Sequence, residues 1–185
     1  MTAITKQKFT FEEYIRYDDG TDNRYELEDG ELILMIPAKI RHALIIRLLN
    51  NAIEAEIARL QLPWVCLQSL GVRTSVSRAR IPDLCVTTRQ QILEKLDVSA
   101  IIDSALVGVE IVSPESINRD YRFKRSEYSV AGIPEYWIVD PMEQKVSILS
   151  LVDGFYEEAE YRGSDGIVSQ TFPQLQLTAE QILQG

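Results

Sequence analysis

Two acidic residues lie where the sequence predicts buried strands. Glu110 occupies the middle of the segment 106–112 (LVGVEIV), which is otherwise apolar and rich in β-branched residues, a pattern typical of a strand covered on both faces. Asp83 follows Pro82 at the start of the apolar run 84–86. Burying an isolated carboxylate costs several kcal/mol unless a partner compensates it. Two carboxylates on neighbouring strands can hold one Mg²⁺, which prefers carboxylate oxygens and keeps several waters, so the pair predicts a metal site.

Each acid also has a simpler interpretation. Glu110 can lie near a strand end and pair with an arginine, and Asp83 can be a turn residue whose side chain accepts backbone N–H groups. The interpretations differ in where the side chains point. A metal site requires both carboxylates on one face of the sheet, within about 5 Å of each other.

Lys124 is the third residue that could take part in chemistry. In a helix that begins near residue 119, Lys124 shares a face with Tyr121 and Tyr128, and this face is the expected inner one. An inward ammonium would lie close to the acidic pair. Asp120, four residues earlier, can instead form an ordinary helical salt bridge with Lys124.

Arginines predict a basic rim near these residues. Arg119, Arg122 and Arg125 point partly outward from the same helix, and Arg78 and Arg80 precede Asp83. A basic rim around a cation-binding acidic pair suits a phosphodiester substrate. A solvated helix face explains the helical arginines equally well.

The elements that must position these residues alternate between helices and strands. Asp-Gly at positions 29–30, between two strand-like runs, predicts a β-hairpin. We therefore expect one α/β (α+β) domain over residues 1–185 with a mixed central sheet, helices on both faces and a core at about 38–141, extended by the N-terminal hairpin and C-terminal strands. The patterns predict helices at 9–17, 38–60, 90–96, 119–131 and 178–183, and strands at 24–28, 31–36, 64–68, 71–76, 81–87, 106–112, 135–140 and 146–151.

The overall charge gives a misleading first impression. The chain has 19 Lys plus Arg against 28 Asp plus Glu, and the net charge of −9 argues against a polyanionic partner. Residues 32–130, however, hold 13 of the 19 basic groups and carry a net charge of +3, while the acidic excess lies at the two ends. The middle of the chain is therefore compatible with phosphate binding.

Composition also indicates the cellular compartment and the state of the cysteines. No stretch approaches the roughly 20 apolar residues of a membrane span, and the first ten residues lack an apolar signal core, so we expect a cytoplasmic protein without membrane association. Cys66 and Cys85 lie in apolar strand-like runs and are expected to be buried free thiols. The single histidine, His42, excludes most histidine-rich metal sites.

A series of motifs, specific in combination, resembles one known family. The chain resembles the Uma-two family of predicted restriction endonucleases over nearly its whole length, and that family resembles the PD-(D/E)XK nuclease superfamily. The resemblance implies a restriction-endonuclease-like core and Mg²⁺-dependent cleavage of nucleic acid. The motifs are Pro82-Asp83, Val109-Glu110-Ile111-Val112-Ser113-Pro114, Asp120 with Lys124 and Tyr128, Glu135-Tyr136-Trp137-Ile138-Val139-Asp140-Pro141, Tyr25-Glu26-Leu27, Gly30-Glu31 and the helix entered through His42.

One position departs from the superfamily pattern. A Glu-x-Lys motif that starts at Glu110 would place its lysine at position 112, where this chain has Val112. The resemblance implies that the basic role has moved to the following helix, where Lys124 is the matching residue. The helical-face argument independently turns Lys124 inward. Loss of the strand lysine leaves open the alternative of a degenerate, inactive site.

Glu26, His42 and two aromatic residues need separate interpretations. By resemblance, Glu26 is a third carboxylate near the metal, and a surface acid of the hairpin is an equally good explanation. His42 lies on the apolar stripe of its helix, which favours a hydrogen-bonded core or interface histidine over a catalytic base. Tyr136 and Trp137 are expected to pack in the core rather than stack on bases.

These inferences combine into one leading hypothesis, a nuclease. Asp83, Glu110 and the backbone carbonyl of Ile111 hold Mg²⁺ (or Mn²⁺), and Lys124 orients or deprotonates the attacking water or stabilises the oxyanion. DNA is the expected partner, with RNA open, and a homodimer is expected because two sites related by a two-fold axis can cut both strands. No small-molecule cofactor is expected. The predicted supporting residues are Glu26, Asp120 and Tyr128, and the predicted contacts to the nucleic-acid backbone are Arg78, Arg80, Arg122 and Arg125.

Two alternatives remain at this point. In the first, a nuclease-like fold has lost catalysis but still binds nucleic acid or protein, and its phosphate affinity persists in EDTA. In the second, Glu110, Asp120 and Lys124 form only a buried ionic network in an interaction module that binds no nucleic acid at low salt.

Overall fold

The N-terminal helix is held by its cap. The computed structural model describes residues 8–35, 37, 39–96 and 101–185. Helix α1 (Phe11–Tyr14) begins at a capping box in which Thr10 and Glu13 each accept the backbone N–H of the other. It fills only the centre of the range predicted at 9–17.

The predicted β-hairpin is confirmed. Strands β1 (Tyr25–Glu28) and β2 (Glu31–Leu34) pair in antiparallel register. Asp29 and Gly30 between them have φ values of 49° and 81°, the left-handed conformations that a type I′ turn requires. The predicted end of the second strand at residue 36 lies outside the described residues.

The long helix is also confirmed. Helix α2 (Ile40–Arg59) lies within the predicted range 38–60, with Lys39 and Leu60 as its caps; residue 38 lies outside the described residues. One stripe of four isoleucine and leucine side chains is buried, and it fixes the helix against the sheet behind it. These side chains are Ile45, Leu49, Ile53 and Ile57.

The strands form two sheets within the described residues, where the sequence predicted one. The other elements are β3 (Trp64–Gln68), β4 (Gly71–Ser75), β5 (Arg78–Arg80), β6 (Leu84–Thr88), α3 (Arg89–Lys95), β7 (Ile101–Ile102), β8 (Val107–Ile111), α4 (Arg125–Val130), β9 (Glu135–Asp140), β10 (Lys145–Val152), β11 (Phe155–Arg162) and α5 (Ala179–Gln184). A six-stranded sheet has the order β11-β10-β9-β8-β6-β3, and a five-stranded sheet has the order β2-β1-β5-β4-β7. Both are mixed, since β8 runs parallel to β9 and β4 runs parallel to β7. The predicted α+β fold class is confirmed.

The chain passes from one sheet to the other at residues 81–83. The sequence predicted a single strand over 81–87, but β5 ends at Arg80 in the five-stranded sheet and β6 begins at Leu84 in the six-stranded sheet. Pro82 has no N–H for a strand ladder, which explains the break. Asp83 therefore lies at the junction between the sheets.

The six-stranded sheet is covered on both faces. On one face, Val109 and Trp137 pack in a cluster with α2 and α5, and on the other face Tyr136 packs with Tyr128 of α4. Helices thus cover both faces, and Tyr136 and Trp137 lie in the core, as expected. Because side chains alternate along a strand, Glu110 points to the same face as Tyr128.

Two further expectations can be compared with the structure. Cys66 and Cys85 are buried free thiols, as the sequence predicted. Among the helices of the described ranges, none has both the length and the apolar character needed to cross a membrane.

Candidate active site

Asp83 and Glu110 lie side by side at the junction of the sheets. The antiparallel register of β6 and β8 pairs Leu84 with Val109, so the next pair outward, Asp83 and Glu110, shares one face. Asp83 Oδ2 accepts the backbone N–H of Ile111 at 2.7 Å, which fixes the aspartate against β8. Both acids and Ile111 line one cleft of about 410 Å³. The structure therefore brings the predicted acidic pair together.

Lys124 is buried in the same cluster. It is the last residue of a π-helical segment, Arg119–Lys124, that leads into α4, and such segments are frequent at functional sites. Its Nζ lies 2.8 Å from Glu110 Oε1, 3.4 Å from Glu26 Oε1 and 3.7 Å from Asp120 Oδ1. None of these four side chains is more than 5% exposed. The Lys124 ammonium thus points inward and lies within 4 Å of three carboxylates.

Hydroxyl groups hold the acids in place. Tyr128 donates to Glu110 Oε1 at 2.8 Å, and Tyr136 donates to the backbone carbonyl of Asp120 at 3.1 Å. The two tyrosine rings pack edge to face, with centroids 5.0 Å apart. Ser116 donates to Asp120 Oδ2. The positions of Glu110 and Asp120 are therefore set by packed, buried neighbours.

The charged groups of this cluster alter each other's protonation. Burial raises the pKa of Glu110, and the neighbouring carboxylates raise it further while Lys124 opposes the rise. Burial also raises the pKa of Asp120. Burial alone would lower the pKa of Lys124, but the surrounding carboxylates outweigh it and raise the pKa. Arg80 also pairs with Glu26, which leaves Glu110 and Asp120 to share Lys124. A further cation would favour the charged form of these two carboxylates.

Glu26 connects the cluster to the five-stranded sheet. Its Oε1 accepts the Ile81 N–H at 3.0 Å, and its Oε2 accepts from Arg80 Nη1 at 3.2 Å. Burial alone would raise the pKa of Glu26, but Lys124 and Arg80 lower it. The structure places Glu26 beside Lys124, inside the cluster, and the surface interpretation of this residue is wrong.

Arg80 has a structural position. It is fully buried and donates to both carboxylate oxygens of Glu127, at 2.7 and 2.6 Å, as well as to Glu26 and Glu28. A guanidinium without exposed surface cannot reach a phosphate. The expectation that Arg80 contacts nucleic acid is therefore corrected, and its role is to hold β1 and β5 of the five-stranded sheet to α4.

The other predicted arginines lie outside the cleft. Arg78 donates twice to Asp29, at 2.7 Å each, and Arg125 donates to Glu158 at 2.6 Å. Arg122 is exposed. None of the three lines the cleft within the part of the chain that the structure describes.

Besides Lys124, the lysines and arginines that line the cleft in the described ranges are Lys39, Arg41 and Arg119. The sequence placed Arg119 in the basic rim but did not single out Lys39 and Arg41. Their only sequence signal is their position just before His42, at the start of a helix that belongs to the motif series.

His42 faces the cleft. Its Nε2 lies 2.8 Å from Asp83 Oδ1, although the direction of the N–H does not complete a hydrogen bond. The expectation of a core histidine is corrected, because the side chain is 16% exposed and lines the cleft beside the acidic pair; the interface alternative stays a prediction.

The donor atoms fit a hard cation. No group of three or more His, Cys, Asp or Glu side chains in the described ranges is arranged to hold a metal by itself. Mg²⁺ usually needs only one or two carboxylates, because it keeps several waters. Asp120 Oδ1 is buried at the cleft without a hydrogen-bond partner among the described residues. Lys124 and Tyr128 both contact Oε1 of Glu110.

Comparisons with known proteins agree with this picture. No curated protein matches the chain. A crystal structure from Anabaena variabilis, described as “a putative nuclease belonging to DUF820”, shares the fold with a TM-score of 0.78 and 18% identity, over 95% of this chain and 97% of that chain. The model of the Uma2 family, described as “Putative restriction endonuclease”, matches residues 11–180, a range that contains the whole cluster. The chain therefore belongs to the Uma2 family.

Proposed function

We propose that the protein is a metal-dependent nuclease that hydrolyses phosphodiester bonds in DNA. One observation carries the proposal: Glu26, Asp83, Glu110 and Asp120 converge with the Lys124 ammonium in a single cleft. Family membership and the fold shared with a protein described as a nuclease support the same activity.

The acidic pair would hold the metal. Asp83, Glu110 and the backbone carbonyl of Ile111 are the proposed ligands of Mg²⁺ or Mn²⁺, and Asp120 Oδ1 offers a further oxygen. The bound cation would supply a water of lowered pKa and neutralise charge that develops on the phosphate. Glu26 and Tyr128 support the site by contacting Lys124 and Glu110 respectively.

Lys124 acts through its positive charge. Three carboxylates surround Nζ and favour its protonated form, so we assign Lys124 to orienting the attacking water and stabilising the oxyanion rather than to accepting a proton. Position 112 would carry this lysine in a Glu-x-Lys motif. Here Val112 packs in the apolar cluster that contains Tyr128, and Lys124 supplies the charge from the facing segment.

Partners and assembly follow from the proposed reaction. The exposed Arg122 keeps its proposed role as a backbone contact, whereas Arg78 and Arg125 would first have to leave their carboxylate partners. A homodimer would place two sites on the two strands of a duplex, and sedimentation analysis would detect it. Two buried free thiols suit a reducing compartment, and we propose the cytoplasm.

Cleavage of single-stranded, duplex and supercoiled DNA with Mg²⁺ or Mn²⁺ tests the proposal. Asp83→Asn and Glu110→Gln should each slow cleavage by about 100-fold or more, as for the loss of one essential charged group. Glu135→Gln is the matched control, since Glu135 is also a buried, hydrogen-bonded carboxylate but lies outside the cleft. If Asp83→Asn and Glu110→Gln cleave DNA at the same rate as the wild type and the control, the assigned site is refuted.

The same cluster also supports a second candidate function. Lys124, Glu110, Glu26 and Arg80 form a continuous buried ionic network, and such a network can be purely structural. A catalytically inactive nuclease-like fold that binds nucleic acid or protein predicts binding that persists in EDTA. Such binding, together with no cleavage of any of the three substrates, would favour this function over the first.

A further inference from the structure

Two neighbouring residues in the cleft have buried polar atoms without hydrogen-bond partners. Arg119 Nε and Asp120 Oδ1 are both inaccessible to solvent, and neither has a hydrogen-bond partner among the residues that the structure describes, although Lys124 Nζ lies 3.7 Å from Asp120 Oδ1. Buried polar atoms in folded proteins are almost always satisfied, and exceptions need an explanation. The two atoms carry opposite charge and belong to residues that line the same cleft. An anion would satisfy Arg119 Nε, and a cation would satisfy Asp120 Oδ1.

Arg119 differs from the arginines around it. Arg78, Arg80 and Arg125 are each neutralised by at least one carboxylate at 3.2 Å or less. Arg119 forms no ion pair within the described ranges, although it follows directly on a loop that carries Glu115 and precedes Asp120. Its guanidinium is therefore available to a ligand in the cleft.

Two more cations, Lys39 and Arg41, line the same cleft. Lys39 caps α2 and Arg41 lies in its first turn; both are exposed, both line the cleft, and neither forms an ion pair with a residue that the structure describes. The cleft thus has a carboxylate interior and three basic groups at its walls, with the exposed Glu115 at the same rim. Such an arrangement suits a phosphate chain with one phosphate beside the carboxylates, which would hold a divalent cation.

We propose that Arg119 binds the phosphate that is cleaved and that Lys39 and Arg41 bind neighbouring phosphates of the same strand. This inference rests on the proposed nuclease function and assigns its substrate contacts. A guanidinium presents a planar fork of N–H donors that matches two phosphate oxygens, which a lysine ammonium cannot reproduce. Arg119 would therefore both orient the phosphate beside Asp83 and Glu110 and stabilise the charge that builds on it during attack.

Binding of a fluorescent oligonucleotide in EDTA tests the inference without catalysis. Single-stranded and duplex probes of the same sequence are titrated by anisotropy over a series of salt concentrations. Arg119→Ala should weaken binding by about 10- to 100-fold, as for the loss of a hydrogen-bonded charge, and should reduce the log–log salt slope by about 0.7 to 0.9. Arg119→Lys should restore the slope but leave the cleavage rate low, because the fork is missing.

Arg47→Ala is the matched control. Arg47 is exposed on α2, lies outside the cleft and forms no ion pair within the described residues. It should bind and cleave as the wild type does. Arg119 forms no ion pair within the described residues, although its charge acts on Asp120 and Glu26. Arg119→Ala should therefore lower the unfolding temperature by at most about 4 °C.

The outcomes separate this inference from the proposed function. If the wild type cleaves DNA but Arg119→Ala and Arg47→Ala bind equally well, the assignment of Arg119 is overturned and the nuclease stands. A large drop in the unfolding temperature of Arg119→Ala would also overturn it, because the residue would then be structural. If the wild type neither binds nor cleaves any probe, the proposed function fails and the inference fails with it.

Discussion

Replacing Lys124 with methionine tests whether the carboxylate cluster is built for a cation. The substitution keeps an unbranched side chain of similar length but removes the charge, so that Glu110, Glu26 and Asp120 lose their shared ammonium. Removing one partner of a buried ion pair costs about 3–5 kcal/mol. In a chain of 185 residues, this loss should lower the unfolding midpoint in EDTA by roughly 6–20 °C.

Mg²⁺ should restore part of the lost stability. A ligand that binds only the folded state stabilises it by about 2.7 kcal/mol at a concentration 100-fold above its Kd. In the wild type, Lys124 already neutralises part of the charge that attracts the metal. The variant should therefore gain more from Mg²⁺ than the wild type does. Thermal unfolding followed by circular dichroism, in EDTA and over a Mg²⁺ titration, measures both effects without any need for catalysis.

Lys145→Met is the control for this experiment. Lys145 pairs with Glu160 at 2.8 Å, outside the cleft, and the Glu160 side chain is 41% exposed. Such a pair contributes about 0–1 kcal/mol to stability. The unfolding midpoint of the control should therefore fall little, and Mg²⁺ should not raise it. If Lys124→Met loses no more than the control, the buried network does not stabilise the fold. If it loses the expected amount but Mg²⁺ restores none of it, the cluster is not a cation site and the metal assignment is refuted.

Other side chains give further predictions. Arg80→Met should lower the free energy of unfolding by about 3–5 kcal/mol in urea, because its carboxylate partners stay buried; a loss below 1 kcal/mol would contradict its structural role. Tyr128→Phe should cost about 1.5–3 kcal/mol because its hydroxyl bonds a carboxylate, whereas Tyr156→Phe, which loses a bond to a backbone carbonyl, should cost about 0.5–1.5 kcal/mol, and equal losses would argue against the charged partner. Burial raises the pKa of Cys66 and raises that of Cys85 to about 12, so neither thiol should react with Ellman's reagent at pH 8 until urea unfolds the protein; rapid reaction of the native protein would contradict their burial.

The acidic cluster could be predicted from sequence because its signals are local. A glutamate inside a strand that is otherwise apolar must find compensation, and the alternation of side chains fixes the face on which Glu110 lies. Helical spacing likewise turned Lys124 toward that face. These arguments use only residues within a few positions of each other, where periodicity is informative.

Which arginines are buried and which line the cleft could not be predicted in the same way. Arg80 bonds Glu127, Glu28 and Glu26, which lie 47, 52 and 54 positions away in the chain, so its burial depends on how the five-stranded sheet meets α4. The sequence shows Arg80 only as a basic residue near an acid. The division into two sheets has the same origin, since the break at Pro82 could be read as a strand start until the partners of β5 and β6 were known.

The position of Lys124 explains how the cluster forms without a lysine at position 112. Residues 110 and 112 point to the same side of the extended chain, so a lysine at 112 would approach Glu110 along the strand; Val112 instead packs with Tyr128 in the apolar cluster. Lys124 approaches the same carboxylate from the facing π-helical segment and reaches it at 2.8 Å. Because electrostatic stabilisation depends on where the charge lies and not on the element that carries it, the missing strand lysine does not by itself make the site inactive.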